Sequence, residues 1–440
     1  MKILLIKPKW FIKGGVYKIL DNIRFTPLHL GIIAALSEGH EVTIVDNDWD
    51  EIPFGSRFDL VGITVTTFTS QQAYGMAERF RKTGSKVVFG GVHPTLMPEE
   101  CLHHCDSVVV GEAEYVWKGL LRDVEAGALN KIYKSDKIVA MNDVPFQKRE
   151  LLNEKSWVAC VQATRGCPNI CKYCYLPSVP WSAYRKRDIE LVYQEIKNIK
   201  QKTIFFVDDN LFADQEYALA LFDRIAPLKK DWSIQAPTTI ADNELLLRKM
   251  ADSGCFNVQI GFQTVNAKSL EWASILQNSI DKYKGIISKL HKHKILVTGF
   301  FMFGFDTDEK DIFDRTVEVI KEIDIDHVHM YILTLYPGTR LYEQFNKEGR
   351  LLVDKDRTHY GWSNAMFIPK NMTVEELEQG VQGAYKQLAG HFRRRLPGKM
   401  LARAGWMLGR PNLLWNIIKG NLGMKDIGRK LSFTAEGPAA

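Results

Sequence analysis

The feature that most constrains this chain is an alternation that runs over residues 3–333: short, nearly continuous apolar runs take turns with stretches of helical period. Apolar runs of that kind belong to strands covered on both faces, so they predict parallel sheets joined by crossover helices. In the first part, strands are expected at 3–6, 41–45, 60–64, 86–89 and 107–110, with helices near 28–37, 70–82, 98–104 and 115–125. This is the pattern of a doubly wound domain, which takes its ligands beyond the carboxyl ends of the strands. A polar stretch at 142–155 that holds Pro145 and shows no period separates it from a second run. There, strands are expected at 158–163, 203–207, 232–236, 257–261, 296–302 and 327–333, and helices follow the first five at 188–200, 214–227, 242–252, 280–292 and 308–323. Six such units predict a full or partial (β/α) barrel whose site lies on the loops after the strands. After Pro369 the chain turns helical again, and Thr373-Val-Glu-Glu376 reads as a capping box that opens a helix.

The fold class is therefore α/β: an N-terminal doubly wound, Rossmann-like parallel sheet at 1–140, a linker at 141–155, a partial (β/α)6 TIM-like barrel at 156–369, and a basic helical region at 370–440. No run approaches the 18 or more apolar residues of a spanning helix. The apolar core of Met1–Ile6 is too short for a signal peptide, so a cytoplasmic protein is expected. The net charge of +6 sits in the last region, where residues 371–440 carry eleven Lys/Arg against five Asp/Glu.

Seven cysteines without a secretion signal point to metal or redox chemistry rather than a disulfide framework. Cys101, Cys105, Cys160 and Cys255 are scattered, whereas Cys167, Cys171 and Cys174 form C-x3-C-x2-C just after the first barrel strand. Three thiolates on one loop do not complete a structural zinc site, although a distant fourth ligand would. They can hold a four-iron four-sulfur cluster and leave one iron open to a ligand. Only Cys255 follows, which speaks against auxiliary iron–sulfur centres.

At these residues the chain resembles the radical S-adenosylmethionine enzymes, whose signature is this cysteine spacing, here with Tyr173 before the last cysteine. The resemblance implies that Cys167, Cys171 and Cys174 bind a 4Fe-4S cluster and that S-adenosyl-L-methionine chelates the open iron. Electron transfer would then release a 5′-deoxyadenosyl radical, which abstracts hydrogen from an unactivated carbon. An external donor of flavodoxin or ferredoxin type would supply the electron. Phe205-Phe-Val-Asp208-Asp209-Asn210, Gly299-Phe-Phe-Met-Phe-Gly304 and Leu333-Thr-Leu-Tyr336-Pro337-Gly338-Thr339 look like segments of the subgroup with an N-terminal cobalamin-binding domain. Gly261-Phe262-Gln263-Thr264 stands where that family often has Gly-Phe-Glu-Ser, so Gln263 keeps hydrogen-bonding capacity but loses the charge, which weakens the ribose contact that the resemblance implies. Leu335 stands where a proline is frequent. Asp208 and Asp209, at a barrel strand end, are expected to contact the methionine amino group or the substrate. His327, His329 and Tyr331 share one strand face, either as packing or as substrate contacts.

The first domain resembles cobalamin-binding domains in its strand order and in two loops, one with Thr64 and Thr66, the other with Gly90 and Gly91. The family's cobalt-ligating Asp-x-His-x-x-Gly is absent, which by the resemblance implies cobalamin in its base-off form without a histidine ligand. The cofactors expected are thus the cluster, S-adenosyl-L-methionine and cobalamin. The activity expected is C-methyl transfer to a hydrophobic, lipid-like or tetrapyrrole-like small molecule. The alternatives are radical cyclisation or rearrangement without methyl transfer, and an electron carrier with an inactive barrel. In the tail, Met400, Leu401, Ala404, Met407 and Leu408 trace one helical face beside basic residues, with Trp406 and Trp415 near. This reads as an interfacial helix for peripheral membrane association, with a packing helix as the alternative and no nucleic-acid partner.

Overall fold

The computed structural model describes residues 1–9, 25–152, 156–352 and 364–407. Two six-stranded sheets form its frame. The first comprises β1 (Lys2–Lys7), β2 (Glu41–Asp46), β3 (Leu60–Thr64), β4 (Lys86–Gly90), β5 (Ser107–Val110) and β6 (Ile132–Lys134), all parallel in the order β2-β1-β3-β4-β5-β6. Strand order reverses at β1 and β3, so a crevice opens beyond their carboxyl ends. The sixth strand escapes the sequence pattern because only Tyr133 of its three residues is buried, leaving no apolar run.

Helices cover both faces of this sheet. α1 (Leu28–Leu36) places Leu30 and Ala34 on one face, against β1 and β3. α2 (Ser70–Lys82) lays Ala73, Met76, Ala77 and Phe80 on the other, beside the short α3 (Val92–Leu96) and α4 (Pro98–Leu102). α5 (Trp117–Glu125) returns to the first face with Trp117, Leu120 and Leu121.

The second sheet consists of β7 (Val158–Val161), β10 (Thr203–Phe206), β11 (Asp231–Ala236), β12 (Cys255–Gln263), β13 (Leu296–Phe303) and β14 (His327–Ile332), parallel and neighbours in sequence order. A two-stranded ribbon, β8 (Thr164–Arg165) with β9 (Arg185–Lys186), brackets the loop between β7 and the first helix. The helices are α6 (Ile189–Lys197), α7 (Gln215–Ile225), α8 (Glu244–Asp252), α9 (Ala267–Trp272), α10 (Tyr283–Lys292), α11 (Ile312–Glu322) and α12 (Arg340–Lys347). Several open on a side-chain cap that the sequence supplies: Asp188, Asp214, Asn243, Asn266 and Thr339 each accept a hydrogen bond from a backbone N–H of the first turn. Helices and core lie on one face of the sheet. The residues of β12, β13 and β14 alternate between fully and half-buried, so their other face is a separate, partly accessible surface. Among the described residues β7 and β14, the two edges of this sheet, do not pair with each other.

The capping box at Thr373 forms as expected: Glu376 N donates to Thr373 Oγ1 at 3.1 Å and Thr373 N donates to Glu376 Oε2 at 2.8 Å. It opens α13 (Val374–Met407), which packs on α11, with Gly380 against the Phe313 ring. Tyr385 of α13 uses its hydroxyl to satisfy Met330 N and Met330 O on the outer edge of β14, at 2.7 and 3.2 Å. The proposed interfacial face at 400–408 and Trp406 have no described side chains, and Trp415 lies outside the described residues. No helix among the described residues is long and apolar enough to cross a membrane.

Candidate cofactor site between the two sheets

The cysteine loop is shaped by Gly166. Its φ is 86°, and a Cβ there would stand 2.2 Å from the Ala183 carbonyl oxygen, so only glycine lets the chain pass. Cys167 N donates to Ser182 O at 3.1 Å and Cys174 N to Cys171 O at 3.1 Å, which fixes the two ends of the loop. Donors already face the sulfurs: Asn210 Nδ2 lies 3.5 Å from Cys167 Sγ and Leu176 N 3.4 Å from Cys174 Sγ. Burial raises the Cys171 thiol and pushes Cys174 up to about 12, and the neighbouring cysteines add to both. A bound cation reverses that preference and takes the thiolates. Among the described residues no three His, Cys, Asp or Glu converge as a single ion requires. The trio suits a multi-iron cluster, whose ligands stand farther apart. Asn210 Oδ1, buried beside the loop, has no hydrogen-bond partner, as expected of a polar atom that faces a group still to be bound.

The two adjacent aspartates divide their work. Asp208 is fully buried and accepts from Ala163 N, Thr164 N and Thr164 Oγ1, the last at 2.7 Å, so it ties the end of β10 to the start of the cysteine loop. Burial pushes its carboxyl up to about 7 against those donors. Asp209 accepts from Gly166 N at 2.8 Å and lines the large cavity described below. Tyr173 packs on the barrel core, and burial with the neighbouring cysteines raises its hydroxyl well above the usual value.

Gln263 adopts φ 65° at a bulge between β12 and β13, and its amide folds back over Gly261, where a Cβ would stand 2.0 Å from Nε2. Asn278 Nδ2 and Tyr283 Oη hold the bulge by donating to Phe262 O at 2.9 and 2.8 Å. Gly299 and Gly304 lie elsewhere. A Cβ on Gly299 would meet Ile325 Cδ1 at 2.2 Å, within the helix-covered packing, and one on Gly304 would meet Phe367 Cζ at 2.9 Å, under the C-terminal segment.

The cavity, of about 530 Å3, lies between the carboxyl ends of the first sheet and the mouth of the second. Thr64, Gly90 and Gly91 line it, whereas Thr66 does not; Thr66 N instead donates to Thr69 Oγ1 at 3.0 Å. Gly91 has φ 106°, and a Cβ there would come within 2.9 Å of Val65 O. Deeper, Leu5, Gly62, Val88, Val109 and Trp117 form an apolar slot over the sheet. From the barrel side the walls are Gln162, Arg165, Tyr175, Trp181 and Asp209. A glycine cradle that side chains would fill, continuous with an apolar slot, fits a large cofactor with a bulky tail.

Sequence reasoning missed what joins the two halves. Arg165 bonds Glu112 at 2.8 Å and Glu114 at 2.7 Å, and Arg185 bonds Glu112 at 2.8 Å, all nearly buried. This network locks the cysteine loop to the loop after β5. A second join is aromatic: Phe68, after β3, meets Tyr336, after β14, with centroids 6.1 Å apart, and Tyr336 meets Tyr175 at 5.3 Å. No periodicity marks such pairs, because each is made by loops distant in sequence.

An iron–sulfur loop that opens onto a second, doubly wound cofactor cradle defines a class of enzymes that generate radicals beside another cofactor. Residues 161–320 match the Radical SAM superfamily and residues 25–121 the B12 binding domain. The bacteriochlorophyllide d C-12(1)-methyltransferase of Chlorobaculum tepidum is 32% identical over 91% of this chain and 90% of its own length. The hopanoid C-2 methylase of Rhodopseudomonas palustris is 22% identical over 96% and 87%. In fold, the chain matches the radical S-adenosylmethionine methyltransferase TsrM of Kitasatospora setae, solved with cobalamin and its iron–sulfur cluster, at a TM-score of 0.64 over 79% of this chain and 75% of that one, with 15% identity. This chain belongs to the radical SAM superfamily, in the group that carries a B12-binding domain. Its cofactors are accordingly a 4Fe-4S cluster, S-adenosyl-L-methionine and cobalamin, and it is an enzyme of the radical SAM methyltransferase group.

Proposed function

We propose that the chain is a C-methyltransferase acting on an unactivated carbon of a hydrophobic small molecule, with a planar tetrapyrrole-like ring as the substrate class. The shared cavity carries the reading, because the wall that ends at Thr64, Gly90 and Gly91 faces the wall that holds Asp209 and Tyr175. When bound, cobalamin supplies the methyl group and the cluster with S-adenosyl-L-methionine supplies the radical. The protein's part is to align the two sites and exclude water between them. Cys167, Cys171 and Cys174 hold the iron. Thr64, Gly90 and Gly91 bound the cobalamin, Tyr173 and Gln263 border S-adenosyl-L-methionine, and Asp208 keeps the loop in register.

For the substrate, the accessible face of β13 and β14 offers a flat aromatic panel. Phe300 stacks on His329 and Tyr331 at 5.3 and 5.6 Å, each with 15° between planes. Burial and the neighbouring His327 hold the His329 imidazole well below its ordinary value, hence neutral. Parallel rings of this kind favour a conjugated macrocycle over an aliphatic polycycle. The relative that acts on bacteriochlorophyllide d agrees. The same reading divides the chain at 140, 155 and 369, draws the electron from a flavodoxin or ferredoxin, and keeps the enzyme in the cytoplasm with the basic region after residue 370 near a membrane face.

The test is anaerobic turnover with cobalamin, S-adenosyl-L-methionine, a reductant and either a chlorin or a hopanoid. The expected result is methylated chlorin with both S-adenosylhomocysteine and 5′-deoxyadenosine. Deoxyadenosine alone would replace methyl transfer by cyclisation or rearrangement, and methylated hopanoid alone would replace the substrate class.

A further inference from the structure

We propose that Ile170 and Leu276, together with Lys172, form the surface on which a small electron-carrying protein docks to reduce the cluster; this rests on the reading that the donor is of flavodoxin or ferredoxin type. Among the described residues these two are the most exposed large apolar side chains, at 71% and 83%. Ile170 lies inside the C-x3-C-x2-C loop, one residue before Cys171. Leu276 lies on the loop after α9, and Lys172 N ties the two loops together by donating to Ala273 O at 3.0 Å. The Lys172 ammonium stands 5.4 Å over the ring of Trp272, the last residue of α9. Slack in the chain does not explain the exposure of Leu276, because its neighbours are anchored. Ile275 is buried and its N donates to Leu270 O at 2.9 Å, Gln277 O accepts from Thr238 Oγ1 at 2.9 Å, and Asn278 Nδ2 donates to Gly261 O at 2.8 Å. One exposed leucine is ordinary, but two such side chains on tied loops beside a redox centre make an apolar contact site.

The occupant follows from which side of the cysteine loop is open. Arg165, just before the loop, is bound to Glu112 and Glu114 of the first domain, and Tyr175, just after it, lines the internal cavity. Within residues 167–174 the exposed positions are Pro168, Ile170 and Lys172, whereas Cys171 is buried. An electron from outside therefore enters across this short stretch. Electron-transfer partners meet through small, short-lived contacts of under about 1,200 Å2, in which a few anchors carry most of the affinity. Ile170 and Leu276 supply the anchors, and the Lys172 charge suits a carrier with an acidic rim. In the contact one electron passes: the carrier is oxidised, the cluster is reduced, and no bond forms or breaks.

The experiment titrates a fluorescently labelled flavodoxin, and separately a labelled ferredoxin, both oxidised, with the full chain, its iron–sulfur cluster intact, and reads anisotropy. Saturable binding of at least one carrier is expected, about tenfold or more weaker in the double variant Ile170→Ser, Leu276→Ser. Lys172→Glu should weaken it by a margin that shrinks with added salt, and Ile132→Ser, at an exposed position of the first sheet, should leave it unchanged. Formation of 5′-deoxyadenosine then separates docking from chemistry. In the double variant it should fall when reduced carrier drives it and stay unchanged when titanium(III) citrate does, with iron content unaltered. Leu276→Ser alone, on a loop without cysteines, should show the same split. Equal binding by all variants, or loss of both rates together, overturns the surface and leaves the donor reading standing. Lost self-association in the double variant with carrier binding intact reassigns the patch to a second copy of the chain. Titanium-driven turnover in a chain that binds neither carrier overturns the surface and the protein donor together.

Discussion

Gly91 shows how much a single backbone position carries. A Cβ would place it 2.9 Å from Val65 O and 3.2 Å from Thr64 Oγ1, in a conformation of φ 106° that L side chains resist. Gly91→Ala is therefore expected to cost about 1–3 kcal/mol and, since it pushes on the cavity wall, to lower the cobalamin bound per chain while leaving iron content unchanged; absorption spectra and iron assays of the same preparation read both. Asp308 makes a pH prediction of opposite kind. It accepts from Ser269 Oγ at 2.6 Å and Gly304 N at 3.0 Å, yet burial still raises its carboxyl from 3.8 to about 6. The native state then keeps a proton that the unfolded chain has lost, so the stability this group contributes is full below about pH 4 and is lost as pH rises through 6. A shift of about two units corresponds to about 3 kcal/mol at most. Urea midpoints across that window should fall less with pH in Asp308→Asn than in the unaltered chain. The two residues differ in legibility. Glycine after a strand is visible in the sequence, but an aspartate's burial depends on what folds over it. The same limit applies to Gly299 and Gly304, which are conspicuous in sequence, whereas their neighbours Ile325 and Phe367 are brought to them only by the fold.

Elements were the most readable level, because strand and helix follow from period. β3 and β5 fall on the expected residues, and β1, β4 and β7 differ only at their ends. What failed is instructive: β6 is polar at two of its three positions, and β8 and β9 are two residues each, too short for any period. The chemistry-bearing loop was legible for another reason, since cysteine spacing survives without knowledge of the fold. The contacts that fix that loop were not. Arg165 precedes it and is shared by Glu112 and Glu114, with side chains of all three no more than 11% exposed. Removing one partner of a buried pair leaves the other charge unsatisfied, at about 3–5 kcal/mol. Arg165→Ala should accordingly lower the urea midpoint and the iron retained after desalting, and Arg165→Lys should recover only part, because an ammonium does not reproduce a guanidinium's paired donors. An unchanged iron content in Arg165→Ala would remove the network from any role in holding the loop.

On the scale of the whole molecule, the question is what keeps two cofactor sites in line when each belongs to its own sheet. Polar joins such as the Arg165 network fix the loops, and the aromatic series Phe68, Tyr336 and Tyr175 links the loop after β3, the loop after β14 and the residue after Cys174. The Tyr336 loop is also wedged against the first domain, since a Cβ on Gly338 would stand 2.7 Å from Leu96 O. Burial and Asp209 raise the Tyr175 hydroxyl, and burial raises that of Tyr336, so both stay protonated and contribute as apolar rings with a polar tip. If this series holds the methyl donor and the radical source at a fixed separation, loosening it should leave radical formation intact and misplace the carbon that must meet both. Phe68→Ala removes the ring on the first-domain side, outside the residues that line the cavity, and truncation of a partly buried aromatic costs about 3 kcal/mol. The variant is expected to keep its cluster and its cobalamin, and to form 5′-deoxyadenosine at a similar rate while transferring several-fold fewer methyl groups. The ratio of deoxyadenosine to methylated product is therefore the decisive readout. A destabilised but aligned enzyme loses both products together at a constant ratio, whereas a misaligned one raises the ratio, and only the second outcome assigns the aromatic series a part in coupling the two sites.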